Sequence, residues 1–233
     1  MKRIRRMVAV IGLVVGVGAG VAGFQSTLFT AAAAPLADGK DPVLLVHGLF
    51  GSPSNWDALK SKLKAAGYTD DQLITFGYNS TSQSNVTTAE KFAAKVDEVL
   101  AATGASKVDV VGHSMGSLNS RYCIKYTGCA GKVDDWVSLA GPNNGSANAG
   151  LGSWLITARE MTPGSEFLTR LNAGESLPPG VSGTTIWSPS DGVVTPANST
   201  VLPGLNNIEV AGVTHLGMLR DNGVAGLVAE ALA

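Results

Sequence analysis

From residue 41 onward, short unbroken apolar runs alternate with amphipathic stretches, the pattern of strands buried on both faces between covering helices. The first run lies within Asp41 to His47 and ends in Gly48-Leu49-Phe50-Gly51, too rich in glycine for ordinary helix. Ser54 and Asp57 then predict a capping box. The helix they open carries Trp56, Leu59, Leu63 and Ala66 on one face and closes at Gly67. Leu73 to Phe76 is the next strand. A polar loop from Asn79 to Asn85 leads to a second boxed helix, Thr87 with Glu90, whose stripe is Phe92, Val96, Val99 and Leu100 and whose end is Gly104.

Val108, Val110 and Val111 form a third strand, which a tight turn joins to another helix. Val133 to Leu139 is a further strand, running into Ala140-Gly141-Pro142-Asn143-Asn144-Gly145, where no helix could continue. Residues 146–180 are less regular. They hold an apolar patch (Leu151, Trp154, Leu155, Ile156), read as core or pocket wall, and a short helix near Ser165 to Asn172. Strands return at Thr184 to Trp187 and Ile208 to Val213, and a small-residue helix lies near Gly223 to Leu232. Strands alternating with helices predict an α/β fold with a mostly parallel central sheet covered on both faces. In such sheets the working residues lie beyond the carboxyl ends of the strands.

The segment before this pattern reads differently. Lys2, Arg3, Arg5 and Arg6 precede an apolar run from Met7 to Phe24 and an alanine cluster, the anatomy of a secretory signal peptide cleaved after Ala33. A retained membrane anchor is the competing reading, and the Arg5-Arg6 pair admits twin-arginine export. The expected organisation is thus a signal peptide over 1–33 and one catalytic domain over 34–233, with the protein secreted. The leader takes four basic residues and no acidic ones. Residues 34–233 keep 13 Lys and Arg against 18 Asp and Glu, a formal −5. That balance offers no footprint for nucleic acid or an anionic membrane. Cys123 and Cys129 suit an oxidising compartment. Gly128 can end the helix in a left-handed turn that brings Cys129 back, so a disulfide is expected over two buried thiols.

The turn after Val111 reads Gly112-His113-Ser114-Met115-Gly116, a G-x-S-x-G match between strand and helix, the setting of the nucleophile elbow of an α/β-hydrolase fold. The motif alone is weak, so the partners must carry it. A nucleophilic serine on this fold needs an acid and then a histidine downstream. Of the three histidines, His47 precedes Ser114 and His113 adjoins it, pointing away on a tight elbow; only His215 follows. Among the acids, Asp134 and Asp135 fall at the wrong end of a strand, and Glu160, Glu166 and Glu175 lie in the irregular segment. Asp191, just past the strand ending at Trp187, is the candidate. Backbone N–H groups of Leu49 and Met115 would hold the oxyanion, with Leu49 and Met115 side chains facing substrate, and Phe50 and Leu216 are further substrate contacts.

These stretches together resemble the small secreted bacterial triacylglycerol lipases of the α/β-hydrolase superfamily, the class 2 lipase group. The resemblance covers essentially Asp41 to Leu219. It rests on VLLVHGLFG, VVGHSMGSLNSRY, KVDDWVSLAGPNNG, MTPGSEFLTRLN, SDGVV and GVTHLGML in that order. It implies Ser114, Asp191 and His215 as a triad, the Leu49 and Met115 amides as oxyanion hole, no cofactor and no metal. The partners it implies are a lipid or ester substrate and transient contact with lipid interfaces, for a monomer that binds no nucleic acid. The chain departs from the family at Asn144 and Ser146, where a histidine and a threonine are common; a retuned loop is expected. With so few residues, a minimal fold with little or no lid is expected. The alternatives are a cutinase-like short-chain or polyester esterase, and a catalytically idle hydrolase-fold binding protein, which would be expected to have lost a member of the triad.

Overall fold

The computed structural model describes residues 39–233; the expected signal peptide and its cleavage point at Ala33 lie outside them. Strands β1 (Val43–Val46), β2 (Leu73–Phe76), β3 (Val108–His113), β4 (Val133–Leu139), β5 (Ser182–Trp187) and β6 (Asn206–Glu209) form one sheet in the order β2-β1-β3-β4-β5-β6. Every pairing is parallel. Helices α1 (Asp57–Ala65), α2 (Asn85–Thr103), α3 (Met115–Tyr122), α4 (Ile156–Glu160), α5 (Glu166–Leu171) and α6 (Asn222–Ala231) make the connections. This is the α/β-hydrolase fold.

Alternation along each strand explains the continuous apolar runs. Leu44 and Val46 join Phe92, Val96, Leu118 and Trp136 in the core under α2 and α3. Val43 and Leu45 join Trp56, Leu59, Val137 and Val228 in the core under α1 and α6. Both faces are covered, so neither set of residues has a polar side to show. After β1 the chain turns to β2 at the sheet's edge and then returns to β3 on the other side of β1. The loops after β1 and β3 therefore leave in opposite directions, and a crevice opens between them beyond the carboxyl ends.

Several boundaries differ from the sequence expectation. The first box is two residues earlier: Asn55 Oδ1 accepts the Ser52 N–H at 2.6 Å, and a 3₁₀ turn over Pro53–Trp56 precedes α1. Ser84, not Thr87, caps α2, its Oγ accepting the Thr87 N–H at 3.1 Å. The last strand is Asn206–Glu209, not Ile208 to Val213. It is an edge strand, largely exposed, so its placement owes nothing to an apolar run. Instead Asn207 fixes it, its side chain bonding Leu202, Leu205 and Thr185. Trp154 is not core: it is 78% exposed and Leu151 is exposed beside it, on a 3₁₀ turn over Ala147–Gly152 and the residues after it.

Residues 145–180 are spent on fixed structure. Ser165 caps α5, and Phe167, Leu168 and Leu171 of that helix are buried in the α2–α3 core. The fold is accordingly minimal, with no long helix in this segment to act as a lid. At the end of α3 a single π-turn, Cys123–Thr127, is closed by Gly128 at φ 110°, and Cys123 is bonded to Cys129.

Candidate active site

Three loops beyond the carboxyl ends carry a non-glycine residue in the left-handed region: Phe50 (φ 57°) after β1, Ser114 (φ 54°) after β3 and Ala140 (φ 49°) after β4. Backbone strain of this kind persists where the surroundings enforce it, and it clusters at functional sites. At Ser114 the enforcement is visible. A Cβ on Gly116 would lie 2.1 Å from the Val46 carbonyl oxygen, and one on Gly112 would lie 2.6 Å from the Ser117 Cα. The two glycines of the motif let α3 press onto β1 and onto its own turn, and the serine is left standing at the tip of the elbow.

Ser114, His113 and His215 line a cavity of about 440 Å³ with Gly48, Leu49, Phe50, Met161, Val193, Leu216 and others. Asp191 and His215 arrive from the loops after β5 and β6. Nδ1 of His215 lies 2.8 Å from Oδ2 of Asp191, and the His215 backbone N–H donates to the Asp191 carbonyl at 3.2 Å. The other carboxylate oxygen, Oδ1, accepts the N–H groups of Val193 (2.9 Å) and Val194 (2.7 Å). Burial works to raise the Asp191 carboxyl. The bond from His215 and the Val194 and Val193 amides outweigh it, so the group lies below the ordinary carboxylate range. An ionised Asp191 can only accept, so Nδ1 of His215 is the donor, and in the neutral imidazole that leaves Nε2 as the acceptor.

The structure thus gathers Ser114, Asp191 and His215 at one end of the sheet and puts Phe50 and Leu216 at the cavity's mouth, both well exposed. The N–H groups of Leu49 and Met115 take no hydrogen-bond partner among the described residues. The Met115 side chain does not face the cavity as expected. It is fully buried in the α2–α3 core, because the first residue of α3 points beneath the elbow. Asn144 has also turned away. Its amide donates to the carbonyls of Ser199 (2.9 Å) and Val201 (2.8 Å), tying down the loop before β6. Ser146 Oγ accepts the Thr195 N–H at 3.0 Å and so braces the loop that carries Asp191.

Two histidines that elimination sets aside are built into the site. His113 donates from Nε2 to the His215 backbone carbonyl at 3.0 Å, and the two rings lie 4.7 Å apart. Burial, with the nearby His215, pushes His113 down to about 3. His47 is buried beneath the loop after β1 and its Nδ1 lies 2.9 Å from the Gly48 carbonyl. The G-H-S and H-G neighbourhoods are the only sequence signal for either, and nothing there says which group the ring would meet.

A family model described as lipase (class 2) matches residues 40–229. A triacylglycerol lipase of Burkholderia plantarii is 39% identical over 106 residues, which are 40% of this chain and 29% of that protein. One from Pseudomonas fragi is 27% identical over 151 residues, 59% of this chain and 50% of that protein. The chain therefore spans half or less of the length of these curated relatives. Among solved structures, the mature form of lipase BlEst2 from Bacillus licheniformis superposes with a TM-score of 0.72. It is 18% identical, and the match covers 86% of this chain and 94% of that one. At that identity the likeness speaks to the fold.

Proposed function

The chain belongs to the class 2 lipase family, and from that premise we propose that it is a secreted carboxylic ester hydrolase cleaving acylglycerols or related lipid esters through an acyl-enzyme on Ser114. One observation carries the reading: the 2.8 Å bond between His215 Nδ1 and Asp191 Oδ2, held over the same cavity as a serine on a strained elbow. In this reading His215 Nε2 takes the Ser114 hydroxyl proton as Oγ attacks the ester carbonyl. Leu49 and Met115 N–H groups receive the oxyanion. The alcohol leaves with the proton from His215, and water repeats the cycle on the acyl group. Asp191, kept ionised, orients the imidazole and stabilises its charged form.

The surroundings agree with a lipid substrate. Phe50 (73% exposed), Val193 and Leu216 rim the cavity, and Leu151 and Trp154 are also exposed, on the segment that lines it at Ser146, Asn148 and Ala149 and has no charged residue between Pro142 and Ala158. Exposed apolar groups gathered near a cavity suit transient contact with an aggregated ester. We read residues 1–33 as the leader and 34–233 as the catalytic domain, acting as a monomer.

The test is chemical. Ser114→Ala should lower ester hydrolysis by a factor on the order of 10⁶, because the members of such a triad act as a unit. Mass spectrometry after an organophosphonate should find one adduct, on Ser114. An active Ser114→Ala protein, or labelling elsewhere, would sink the reading. A rate profile over p-nitrophenyl esters and emulsified triglyceride then separates a lipase from a cutinase-like esterase.

A further inference from the structure

A loop peptide can turn over with little movement of the side chains around it, exchanging the directions of its C=O and N–H. Gly48, with no Cβ, does not resist that rotation by itself. Something else must decide which way the peptide between Gly48 and Leu49 faces. Gly48 also sits against the elbow, where a Cβ would lie 2.8 Å from the Ser114 Cβ, so this peptide begins beside the serine.

The Gly48 carbonyl is held twice, by His47 Nδ1 at 2.9 Å and by the Gly51 N–H at 3.0 Å. A carbonyl can only accept, so Nδ1 carries the hydrogen. In a trans peptide the N–H lies opposite the C=O, so fixing the carbonyl fixes the Leu49 N–H on the other side. His47 is in turn held by Tyr78. The rings stack with centroids 4.2 Å apart and planes 12° from parallel. The Tyr78 N–H reaches His47 Nε2 at 3.5 Å, the lone-pair side of the ring. The Tyr78 hydroxyl donates to the His47 carbonyl at 2.5 Å and accepts from Asn119 Nδ2 at 3.1 Å.

Asn119 is on α3, the helix that opens at Ser114, so the chain of contacts runs from the loop after β1 to the elbow itself. Burial lowers the basicity of His47 and raises the Tyr78 hydroxyl, which keeps the ring neutral and the phenol protonated, as these bonds require. The next residue is fixed by the same neighbour: the Phe50 N–H donates to Ser80 Oγ at 3.0 Å.

We propose that His47, with Tyr78 behind it, is a positioning residue for the oxyanion site: its Nδ1–H holds the Gly48 carbonyl outward so that the Leu49 N–H faces the reacting carbonyl oxygen. This rests on the reading of Leu49 as an oxyanion donor. A buried histidine that merely fills space would serve without its hydrogen, and that is the difference to measure.

His47→Asn keeps an amide N–H near the place of Nδ1, whereas His47→Gln carries its amide out to the place of Nε2 and leaves the Gly48 carbonyl to Gly51 alone. Both lose the ring and its stacking, and Gln is nearer to His in volume, so a space-filling role predicts that Gln does at least as well as Asn. With p-nitrophenyl butyrate on enzyme titrated by an organophosphonate, kcat of His47→Gln should fall at least about tenfold below that of His47→Asn. That approaches the roughly 10²–10³-fold cost of losing an oxyanion donor, with KM alike in the two. Equal kcat values, or a difference carried by KM, overturn the proposal. Should either variant fail to fold by circular dichroism, Tyr78→Phe decides, with about tenfold lower kcat at unchanged KM expected and an unchanged kcat overturning it. The titration separates the two levels. Wild-type protein that takes no phosphonate on Ser114 overturns the hydrolase reading, while labelled protein whose Asn and Gln variants turn over alike overturns only the role of His47.

Discussion

A buried imidazole that stays neutral is a strut with one donor and one acceptor, and His113 fits that description. With its pKa pushed down to about 3 by burial and by His215, it keeps a single proton at any working pH. That proton sits on Nε2, since the His215 carbonyl 3.0 Å away can only accept it. His113 therefore holds the backbone of the residue whose side chain Asp191 orients. His113→Leu should strand a buried carbonyl and let His215 drift, lowering kcat by roughly 10- to 10²-fold at constant KM. His113→Gln, whose amide reaches the place of Nε2, should recover most of the loss. Because His113 does not titrate above about pH 4, the pH profile of the Gln variant should overlay that of the parent; a shifted profile would show that His113 acts on the chemistry by its charge. Order along the chain singles out Ser114, Asp191 and His215 in the sequence, and the structure brings them to one end of the sheet. The parts of His47 and His113 are not, because a ring's role is set by which carbonyl it meets, and both meetings depend on tertiary placement. The inward turn of Met115 is hidden for the same reason.

Elements are most legible where burial dictates composition. β3 and β4 are covered on both faces, and their apolar runs give their positions directly. Edge strand β6 begins ahead of its apolar residues, at Asn206, because polar asparagines satisfy an edge as well as valines do. Trp154 misleads in the other direction: its hydrophobicity suggests burial, whereas the tryptophan stands in solvent. The end of α3 is readable from Gly128, and there the bond between Cys123 and Cys129 closes a loop with a sequence separation of 6. A loop that short restricts the unfolded chain by only about 2 kcal/mol. The two sulfurs are buried in the α2–α3 core, away from the cavity. Replacing both cysteines by alanine should therefore lower Tm by roughly 4–8 °C, at about 2–4 °C per kcal/mol for a chain of this size. kcat per titrated serine should be unchanged, and a loss of kcat would show that the end of α3 reaches the elbow at its start.

The molecule has two chemically different ends. Loops beyond the carboxyl ends of the strands carry the serine and its partners, while the opposite end gathers Asp41, Asp109, Asp134 and Asp135. Asp109, in β3 beside Val43, is buried, and its Oδ1 accepts the Asp135 N–H at 3.1 Å. Burial is the largest influence on it. Asp135, Asp41 and Asp134 add to that, the Asp135 N–H opposes it, and the carboxyl is raised to about 8. Lys107 pairs with Asp134 at 2.5 Å but sits at the surface, where such a pair contributes little. The sign follows from linkage. Between the unfolded value near 3.8 and the folded value of about 8, the native state holds the proton that the unfolded state has lost. Stability from Asp109 is then full below about pH 4, falls as the pH rises, and is gone above about 8. Asp109→Asn keeps an oxygen for the Asp135 N–H and cannot ionise, so it should remove that slope. Scanning calorimetry from about pH 5 to 9 should show the Tm of the parent falling toward alkaline pH, by roughly 2–4 °C for each kcal/mol lost, while the Asn variant stays nearly flat and overtakes it. The acids and histidines at the other end of the sheet are common to both proteins, so they cannot produce a difference between the curves. Parallel curves would mean that Asp109 ionises in its ordinary range and that this end of the sheet admits water.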